Sequence, residues 1–372
     1  MIDAGAFCKG LEAREFDLFT GVPDSLLGDF TACLSDPKES YEHIITANEG
    51  NAIGLAAGYY LSTGKYGVAY FQNSGLGNAV NPLLSLADED VYGIPMLLII
   101  GYRGEPGVPD EPQHVKQGKT TIPLLEAMGI AYQFLDENFE EQLDWCKDYV
   151  TKHSSPVALV VRKGTFDKYP FEKQVDNLPL TREDALEIIL DSIEDEDLVV
   201  ATTGKTAREI FELRVKRDED HGNDFLTVGS MGHTASIALG LSMGSSTDVY
   251  CIDGDGSFLM HMGSLATVTD KAGANFKYIL NDNGAHESVG GQPTVSRKLN
   301  IELILQGLGF ATVLTAETDA EIKEALEKMK SSGLCALVIK TRQGSRKDLG
   351  RPTQSPQQNK VALMENIRAG KE

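Results

Sequence analysis

The chain has 372 residues, with 34 Lys and Arg against 55 Asp and Glu, so its formal net charge is −21. So acidic a chain lacks the basic surface that nucleic acids and anionic membranes require, and its 41% hydrophobic content excludes an acidic disordered tail. No apolar run reaches the roughly 18 to 20 residues that span a bilayer, and the first residues lack a signal-peptide pattern. We therefore expect a cytoplasmic protein of two domains that binds neither nucleic acid nor membrane.

Short apolar segments bounded by glycine alternate with longer helical patterns along the chain. Strands are predicted at residues 44–47, 67–72, 95–101, 156–162, 198–204, 248–254, 276–282 and 335–341. Several of them are apolar almost throughout, which is typical of parallel strands buried on both faces. Helices are predicted for patterns such as 51–61 and 301–307. The alternation indicates an α/β fold with helices packed on parallel sheets.

A domain boundary is predicted near residues 163–180, which are polar, hold two prolines and lack periodicity. The TRED segment that follows, at 181–184, resembles a capping box at the start of a helix. We therefore expect domains at 1–165 and 181–372, joined by a linker at 166–180.

The two halves resemble each other in sequence. Two segments start from a glycine, at Gly50 and Gly232, and have a second glycine eight residues on, at Gly58 and Gly240, within a predicted helix of small residues. Their sequences are GNAIGLAAGYYLSTGKYGVAYFQNSG and GHTASIALGLSMGSSTDVYCIDGDG. Each then continues through a turn and a strand to a glycine-rich turn. The pattern predicts duplication of one fold unit, with generic packing of small residues on a sheet as the alternative.

The cysteines are five in number, scattered, and without CxxC spacing. Disulfide frameworks and structural zinc sites use regularly spaced cysteines. We therefore expect small buried hydrophobic residues at these positions.

The segment GDGSF, at 254–258, follows one predicted strand, and Asn283 follows the next. Because the carboxyl ends of parallel strands meet at one edge of a sheet, Asp255 and Asn283 are expected on adjacent loops, where open α/β sheets bind ligands. Carboxylate, amide and carbonyl oxygens suit a hard divalent cation such as Mg²⁺. The spacing therefore predicts a cation site, with a diphosphate supplying further oxygen ligands.

GDG followed after 25 residues by Asp282-Asn283 resembles the metal-binding motif of thiamine diphosphate enzymes, although many members have Asn-Asn at the latter position. The resemblance implies thiamine diphosphate and Mg²⁺ as cofactors, with the metal held by Asp255, Asn283 and the backbone carbonyl of Ala285. It also implies that Glu49, in ANEGNAIGLAAGY, is the acid beside the aminopyrimidine ring. The first domain would then bind the pyrimidine, and the second the diphosphate and metal, in two similar parallel-sheet, three-layer domains of the thiamine diphosphate-binding fold.

Further cofactor contacts are expected on the turns that the two halves share. Met231 matches a bulky apolar residue that holds the cofactor bent in related decarboxylases. The residues expected to bind the cofactor are Glu49, Asn73, Thr203, Gly204, Ser230, Met231, His233, Gly254, Asp255, Gly256, Ser257 and Asn283.

A chain of two such domains without a middle domain is similar to the thiamine diphosphate-dependent decarboxylases that act on 3-phosphonopyruvate or sulfopyruvate. The phrases FTGVPDSLL, DNGAHESVGGQPT and GSRKDLGRPT carry this resemblance. It implies decarboxylation of 3-phosphonopyruvate to phosphonoacetaldehyde and CO₂, in phosphonate biosynthesis, by a homodimer or higher homo-oligomer with active sites between subunits. Sulfopyruvate decarboxylation and acetolactate-synthase-like carboligation remain alternatives, as does a non-catalytic cofactor-binding protein, which the retained Glu49, Asp255 and Asn283 disfavour.

Proton transfer needs acid–base groups whose pKa is near neutral, which suits histidine, and the anionic substrate needs positive charge. Besides Glu49, the candidate catalytic residues are Ser25, Asp24, His114, His286 and Glu287. Arginine suits phosphonate oxygens. The candidates for substrate binding are Arg103 and, from the segment 340–351 with its five basic residues and one Asp, Arg346 and Arg351. For each of these residues a solvated surface loop is the alternative.

Overall fold

The computed structural model describes residues 1–170 and 176–369. The chain divides into two compact units, unit 1 at residues 1–173 and unit 2 at residues 174–372. The predicted linker falls across this division, and its residues 171–175 lie outside the described residues.

Unit 1 is an α/β layer structure built on one parallel sheet. Its strands are β1 (Phe16–Gly21), β2 (Glu42–Ile45), β3 (Tyr66–Gln72), β4 (Met96–Gly101), β5 (Ala131–Phe134) and β6 (Val157–Val161). Its helices are α1 (Ala4–Glu12), α2 (Gly28–Leu34), α3 (Glu49–Thr63), α4 (Leu76–Pro82), α5 (Pro112–Ala127) and α6 (Phe139–His153), with a 3₁₀ turn at Asn73–Gly75 and a π-helical turn at Leu83–Ala87. The strand order is β2-β1-β3-β4-β6-β5.

Unit 2 repeats this architecture. Its strands are β7 (Leu198–Ala201), β8 (Asp224–Leu226), β9 (Val249–Gly254), β10 (Phe276–Asp282), β11 (Thr312–Ala316) and β12 (Cys335–Lys340). Its helices are α7 (Arg182–Ser192), α8 (Lys205–Lys216), α9 (Thr234–Gly244), α10 (Asp255–Met260), α11 (Ser264–Lys271), α12 (Ile301–Leu308), α13 (Asp319–Ser331) and α14 (Pro356–Ala369), with a 3₁₀ turn at Ser296–Lys298. The order is β8-β7-β9-β10-β12-β11. Numbered from the first strand of each unit, both sheets read 2-1-3-4-6-5, which confirms the prediction of two similar domains.

Each sheet is the middle of three layers because alternate side chains along its strands are buried on opposite faces. In β3, Val68 and Tyr70 pack in the cluster formed with α1, α2 and α6, whereas Ala69 and Phe71 pack with α3, α4 and α5. In unit 2, β9 and β10 divide in the same way between α7, α8 and α13 on one face and α9, α11 and α12 on the other. The polar atoms that a ligand would need are therefore left to the strand ends.

All eight predicted strand segments contain a strand, and the sequence missed β1, β5, β8 and β11. Three of these, β5, β8 and β11, are short edge strands, and β5 and β11 are largely half-buried. Such strands carry no continuous apolar run for a sequence pattern to detect. In β1 the charged Asp17 interrupts the run.

The predicted capping box is confirmed at the start of α7. The Thr181 side chain accepts a hydrogen bond from the Asp184 amide, and the Asp184 carboxylate accepts one from the Thr181 amide at 2.8 Å. At the other side of the predicted linker, Phe166 is buried and its ring lies 5.4 Å from Phe7 and 5.8 Å from Phe30. The first residues of that segment therefore pack on unit 1.

The five cysteines are buried, and none forms a disulfide. In the part of the chain that the structure describes, no helix combines the length and apolarity needed to cross a bilayer.

Close packing of α3 on β3 gives a first testable prediction. Ala56 is fully buried, and a methyl group on Gly67 would lie only 2.7 Å from its Cβ. We expect Ala56→Leu to cost about 2 kcal/mol, or ~4 to 8 °C in the thermal unfolding midpoint measured by circular dichroism, because the larger side chain would push α3 from the sheet. Gly58→Ala, whose methyl group would have no neighbour within 4 Å, is the control and should not lower the midpoint. An Ala56→Leu midpoint equal to that of the wild type would contradict the close approach.

Candidate active site

Polar residues of unit 1 gather where its strands end. Because the strands are parallel, their carboxyl ends meet at one edge of the sheet. The neighbouring strands β2, β1, β3 and β4 each lead into a segment that carries predicted site residues. These residues are Asp24 and Ser25 after β1, Glu49 after β2, Asn73 after β3, and Arg103 and His114 after β4.

Glu49 begins α3, where the helix dipole favours a negative charge. Its side chain is only 5% exposed, and Oε2 accepts a hydrogen bond from Asn78 Nδ2 at 2.7 Å. The other oxygen lies against Gly75, where a methyl group would be 2.2 Å from Oε1, so only glycine fits. This carboxyl group is thus held by a neutral amide at a helix start, an arrangement in which it could exchange a proton with a ligand nitrogen.

Asp24 lies beneath the turn that follows β1. It is fully buried, accepting hydrogen bonds from Gln72 Nε2 at 2.6 Å and from the Leu26 amide at 3.1 Å. Burial raises the pKa of its carboxyl group, although the bond from Gln72 acts in the opposite direction. Because none of its surface is exposed, Asp24 supports the turn that presents Ser25 and does not itself offer an oxygen to a ligand. The predicted catalytic role therefore fits Ser25 better than Asp24.

Arg103 is fixed by a carboxylate that the sequence analysis did not single out. Asp110 accepts two hydrogen bonds from its guanidinium, at 2.8 and 2.5 Å, and also bonds the amides of Gly104 and Glu111, both at 2.8 Å. A third bond runs from Arg103 Nη1 to Ser25 Oγ at 2.8 Å. The pKa of Asp110 is lowered, chiefly by its hydrogen bonds with Arg103. Three of the five guanidinium N–H groups are used by described residues, and no described residue takes up the other two.

His114, in α5, is buried next to this arginine. Only 8% of it is exposed, and its Nδ1 has no hydrogen-bond partner among the described residues. Burial, with the charge of Arg103, lowers its pKa to about 4. The imidazole is therefore neutral near pH 7.

Asn73 is used inside unit 1. Its Nδ2 donates to the Arg103 carbonyl and to Thr121 Oγ1, both at 2.8 Å, and its Oδ1 accepts from the Arg103 amide at 3.1 Å. The predicted contact between its side chain and the cofactor is not supported by this geometry, because the amide joins the loops after β3 and β4.

Predicted site residues of unit 2 also lie after the ends of its strands. They are Thr203 and Gly204 after β7, Ser230, Met231 and His233 after β8, Gly254, Asp255, Gly256 and Ser257 at the end of β9 and in α10, Asn283, Ala285, His286 and Glu287 after β10, and Arg346 and Arg351 after β12.

Asp255 is a buried carboxylate in a setting that suits a bound cation. It is 3% exposed and accepts hydrogen bonds from the uncharged hydroxyls of Thr294, at 2.5 Å, and Ser296, at 3.4 Å. Burial and the nearby charge of Asp282 raise its pKa to about 7. A divalent cation would favour the ionised form that this environment disfavours.

Asn283 and Ala285 could complete a set of oxygen ligands with Asp255. Asn283 is buried; its Nδ2 donates to Glu287 Oε2 at 2.9 Å, while its Oδ1 accepts from the Ala285 amide at 3.1 Å. Across residues 1–170 and 176–369 there is no cluster of three or more His, Cys, Asp or Glu side chains arranged to hold a metal. One carboxylate, one amide and one carbonyl are a different donor set, which fits Mg²⁺ when a ligand supplies phosphate oxygens.

The turn containing Met231 packs against the GDGSF segment. Gly232 donates its amide hydrogen to Ser257 Oγ at 3.0 Å. Met231 Cε and His286 Nδ1 each lie 3.0 Å from the place that a methyl group on Gly256 would occupy. Burial lowers the pKa of His286 to about 4. The fold thus brings these predicted residues together.

The remaining turns have backbone conformations that suit ligand-binding loops. Gly204, before α8, has φ +96°, and Ser230 has φ +55°, an unusual value for a residue with a side chain. The His233 Nδ1 lies 3.2 Å from the Ser230 carbonyl. Amides at the start of the twelve-residue α8, next to Thr203, are donors of the kind that bind phosphate.

Glu287 is paired more fully than the predicted proton-transfer role allows. Its Oε2 accepts from Arg182 at 2.7 Å and from Asn283 at 2.9 Å, and its Oε1 accepts from the Gly344 amide at 3.0 Å and lies 3.6 Å from Lys205 Nζ. Burial opposes ionisation, but Arg182 and Lys205 outweigh it and hold the pKa of Glu287 below its ordinary value. A carboxylate this well bonded is a poor proton donor.

Arg346 is neutralised on the surface of unit 2. Its guanidinium pairs with Glu183 at 2.8 Å, with Glu212, and with Asp348 at 3.4 Å. The predicted role in substrate binding is not supported, because three carboxylates already surround this charge. Arg351 is exposed in the same segment.

Two family models match this chain, "Thiamine pyrophosphate enzyme, N-terminal TPP binding domain" at residues 4–123 and "Thiamine pyrophosphate enzyme, C-terminal TPP binding domain" at residues 203–339. A phosphonopyruvate decarboxylase of Streptomyces hygroscopicus is 32% identical over 96% of this chain and 92% of its own. A sulfopyruvate decarboxylase of Methanosarcina acetivorans is 29% identical, covering 79% of this chain and 80% of its own. The β subunit of a Methanocaldococcus jannaschii sulfopyruvate decarboxylase is 33% identical over 42% of this chain and 84% of its own.

These matches fit the duplicated sheets and the polar strand ends of both units. The chain belongs to the thiamine pyrophosphate enzyme family and is a carboxy-lyase that uses thiamine diphosphate.

Proposed function

We propose that this decarboxylase acts on 3-phosphonopyruvate, giving phosphonoacetaldehyde and CO₂ in phosphonate biosynthesis, with Mg²⁺ as the second cofactor. The relation to a phosphonopyruvate decarboxylase along 96% of the chain carries the proposal. Sulfopyruvate is the alternative substrate, favoured by a relative that covers 79% of the chain. Both substrates combine a 2-keto acid with a second strong anion, and Arg103 has unused donors for such a group.

The cofactor residues form two sets within this proposal. Bound thiamine diphosphate supplies the electron sink for loss of CO₂. In unit 1, Glu49 would hold or release the proton on the aminopyrimidine. In unit 2, Asp255, Asn283 and the Ala285 carbonyl would hold Mg²⁺. The diphosphate and thiazolium would be bound by the turns that contain Thr203, Gly204, Ser230, Met231, His233, Gly254, Gly256 and Ser257.

We assign pyrimidine binding to residues 1–165 and diphosphate binding to residues 181–372, joined by the segment 166–180. The N-terminal and C-terminal family models fall within these ranges. We further propose a homodimer or larger homo-oligomer, in which the two kinds of domain at one active site come from different subunits.

Replacing Glu49 by Gln tests its role. The amide keeps the size and the bond with Asn78 but cannot exchange the proton, so we expect kcat to fall by at least ~10²-fold. Binding of thiamine diphosphate with Mg²⁺, measured by calorimetry, should change much less. Asn78→Ala is the comparison, since it leaves the carboxyl group present and should retain more activity than Glu49→Gln. Full activity of Glu49→Gln would contradict the assignment.

His114 is proposed to accept and return a proton near the substrate, because its imidazole is neutral and lies close to Arg103. NMR titration should show its ring protonating at about pH 4, well below an ordinary value of about 6.5. The unfolded chain binds this proton first as the pH falls from about 6.5 towards 4, so the folded state should lose stability in that window. The His114→Gln variant identifies the resonance and should lose that contribution to the pH dependence; protonation near pH 6.5 would contradict the buried environment.

Arg103 and Arg346 form a matched pair for the substrate assignment. We expect Arg103→Met to raise the KM for 3-phosphonopyruvate at least ~10-fold, because a charge-assisted contact would be lost. Arg346→Met should leave KM within about twofold, because three carboxylates already surround its charge, compared with the single Asp110 at Arg103. Turnover of 3-phosphonopyruvate, sulfopyruvate and pyruvate by the wild type identifies the substrate, and preference for sulfopyruvate would replace the proposal with the alternative.

A further inference from the structure

Unit 2 contains a buried ionic network that the decarboxylation chemistry does not require. Arg182, at the start of α7, bonds Glu209 of α8 through Nε and Nη2, both at 2.6 Å. Its Nη1 bonds Glu287 Oε2 at 2.7 Å. The exposed fractions of the three residues are 6%, 0% and 8%. Buried charges are tolerated when they are paired this completely, and removing one partner is costly.

Glu287 is the member of this network that contacts the proposed metal turn. Its Oε2 receives hydrogen bonds from Arg182 and from Asn283 Nδ2, while its Oε1 receives one from the Gly344 amide. Lys205 Nζ is 3.6 Å from Oε1. Arg182 and the Asn283 amide thus share one oxygen of this carboxylate, so the arginine holds in place the atom that the amide contacts.

The contact fixes which end of the Asn283 amide faces each way. An ionised carboxylate can only accept hydrogen bonds, so the Asn283 NH₂ group must face Glu287 and its Oδ1 must point away. Oδ1 correspondingly accepts the Ala285 amide at 3.1 Å. A cation can bind an asparagine only through that oxygen. With a neutral Gln at position 287, the side chain could present either an oxygen or an NH₂ group, and both amide orientations of Asn283 would be allowed.

We propose that Glu287 is a positioning residue that orients the Asn283 amide for Mg²⁺, and that Arg182 keeps Glu287 in place. The inference rests on the proposed metal site. It replaces the expectation that Glu287 transfers a proton, since both of its oxygens are bonded within unit 2. It also gives a reason for burying Arg182 beside two carboxylates: a partner of the metal ligand must itself be held.

The test is the affinity of the full-length apo protein for Mn²⁺ in the presence of thiamine diphosphate, followed by the EPR signal of free Mn²⁺. Glu287→Gln should raise the dissociation constant about 10- to 100-fold, as expected for loss of a partner of a metal ligand. Glu209→Gln is the matched control, because it changes a carboxylate bound to the same Arg182 but leaves the contact between Glu287 and Asn283. Its Mn²⁺ affinity should stay within about threefold of the wild type.

Further measurements separate positioning from other roles. High Mg²⁺ should restore most of the activity of Glu287→Gln, and the pH–rate profile of this variant should keep the wild-type shape. If one limb of the pH–rate profile is lost and high Mg²⁺ does not restore activity, Glu287 transfers a proton and the proposal is overturned. Thermal unfolding shows whether each variant is folded. If Glu287→Gln is misfolded, Glu287→Asp takes its place. This variant keeps the charge but has a shorter side chain, so it should also weaken Mn²⁺ binding. If Asn283→Ala abolishes Mn²⁺ binding but Glu287→Gln and Glu287→Asp do not weaken it, positioning is wrong and the metal site stands. If the wild type shows no binding dependent on thiamine diphosphate, the metal site itself is wrong.

Discussion

The arrangement of this protein depends on parallel strands that are buried on both faces. Such a sheet leaves no polar surface along its strands, so groups that interact with ligands must lie where the strands end. Both units obey this constraint with the same strand order. The segments after the central strands therefore carry the candidate site residues, and the helices on either face hold those segments in place.

The buried acidic residues near the strand ends of unit 2 differ in what they are bonded to. Glu209 and Glu287 are buried but bonded to arginine, so their charges are stabilised inside unit 2. Asp255 is equally buried, yet its side-chain hydrogen bonds from Thr294 and Ser296 come from neutral hydroxyls. The first kind of carboxylate gives rigidity, whereas the second would be stabilised in its ionised form by the proposed cation. Arg103 and Arg346 differ in how fully they are paired. Arg103 keeps N–H donors that no described residue uses and lies beside a neutral histidine, whereas Arg346 is surrounded by three carboxylates.

The charge of the whole chain says little about its ligands. Thiamine diphosphate is an anion, and so is any 2-keto acid, although the protein carries a net charge of −21. In the basic segment 340–351, Arg346 is paired with Glu183 and Lys340 with Glu317. The features that favour an anion are local: the start of α8 and the guanidinium of Arg103.

The sequence by itself determined the fold class, the two similar units and the position of the main motifs, because continuous apolar runs and glycine-rich turns are local signals. It correctly predicted a strand in each of its eight segments and the capping box at Thr181. It could not find the edge strands, whose burial is partial, nor the partners of Glu287, because Arg182 lies 105 residues away along the chain. Only the tertiary structure decided what each polar residue contacts, because its partners lie on separate loops. Arg346 forms ion pairs on the surface, Asp24 is buried and supports a turn, and Glu287 contacts the Asn283 amide.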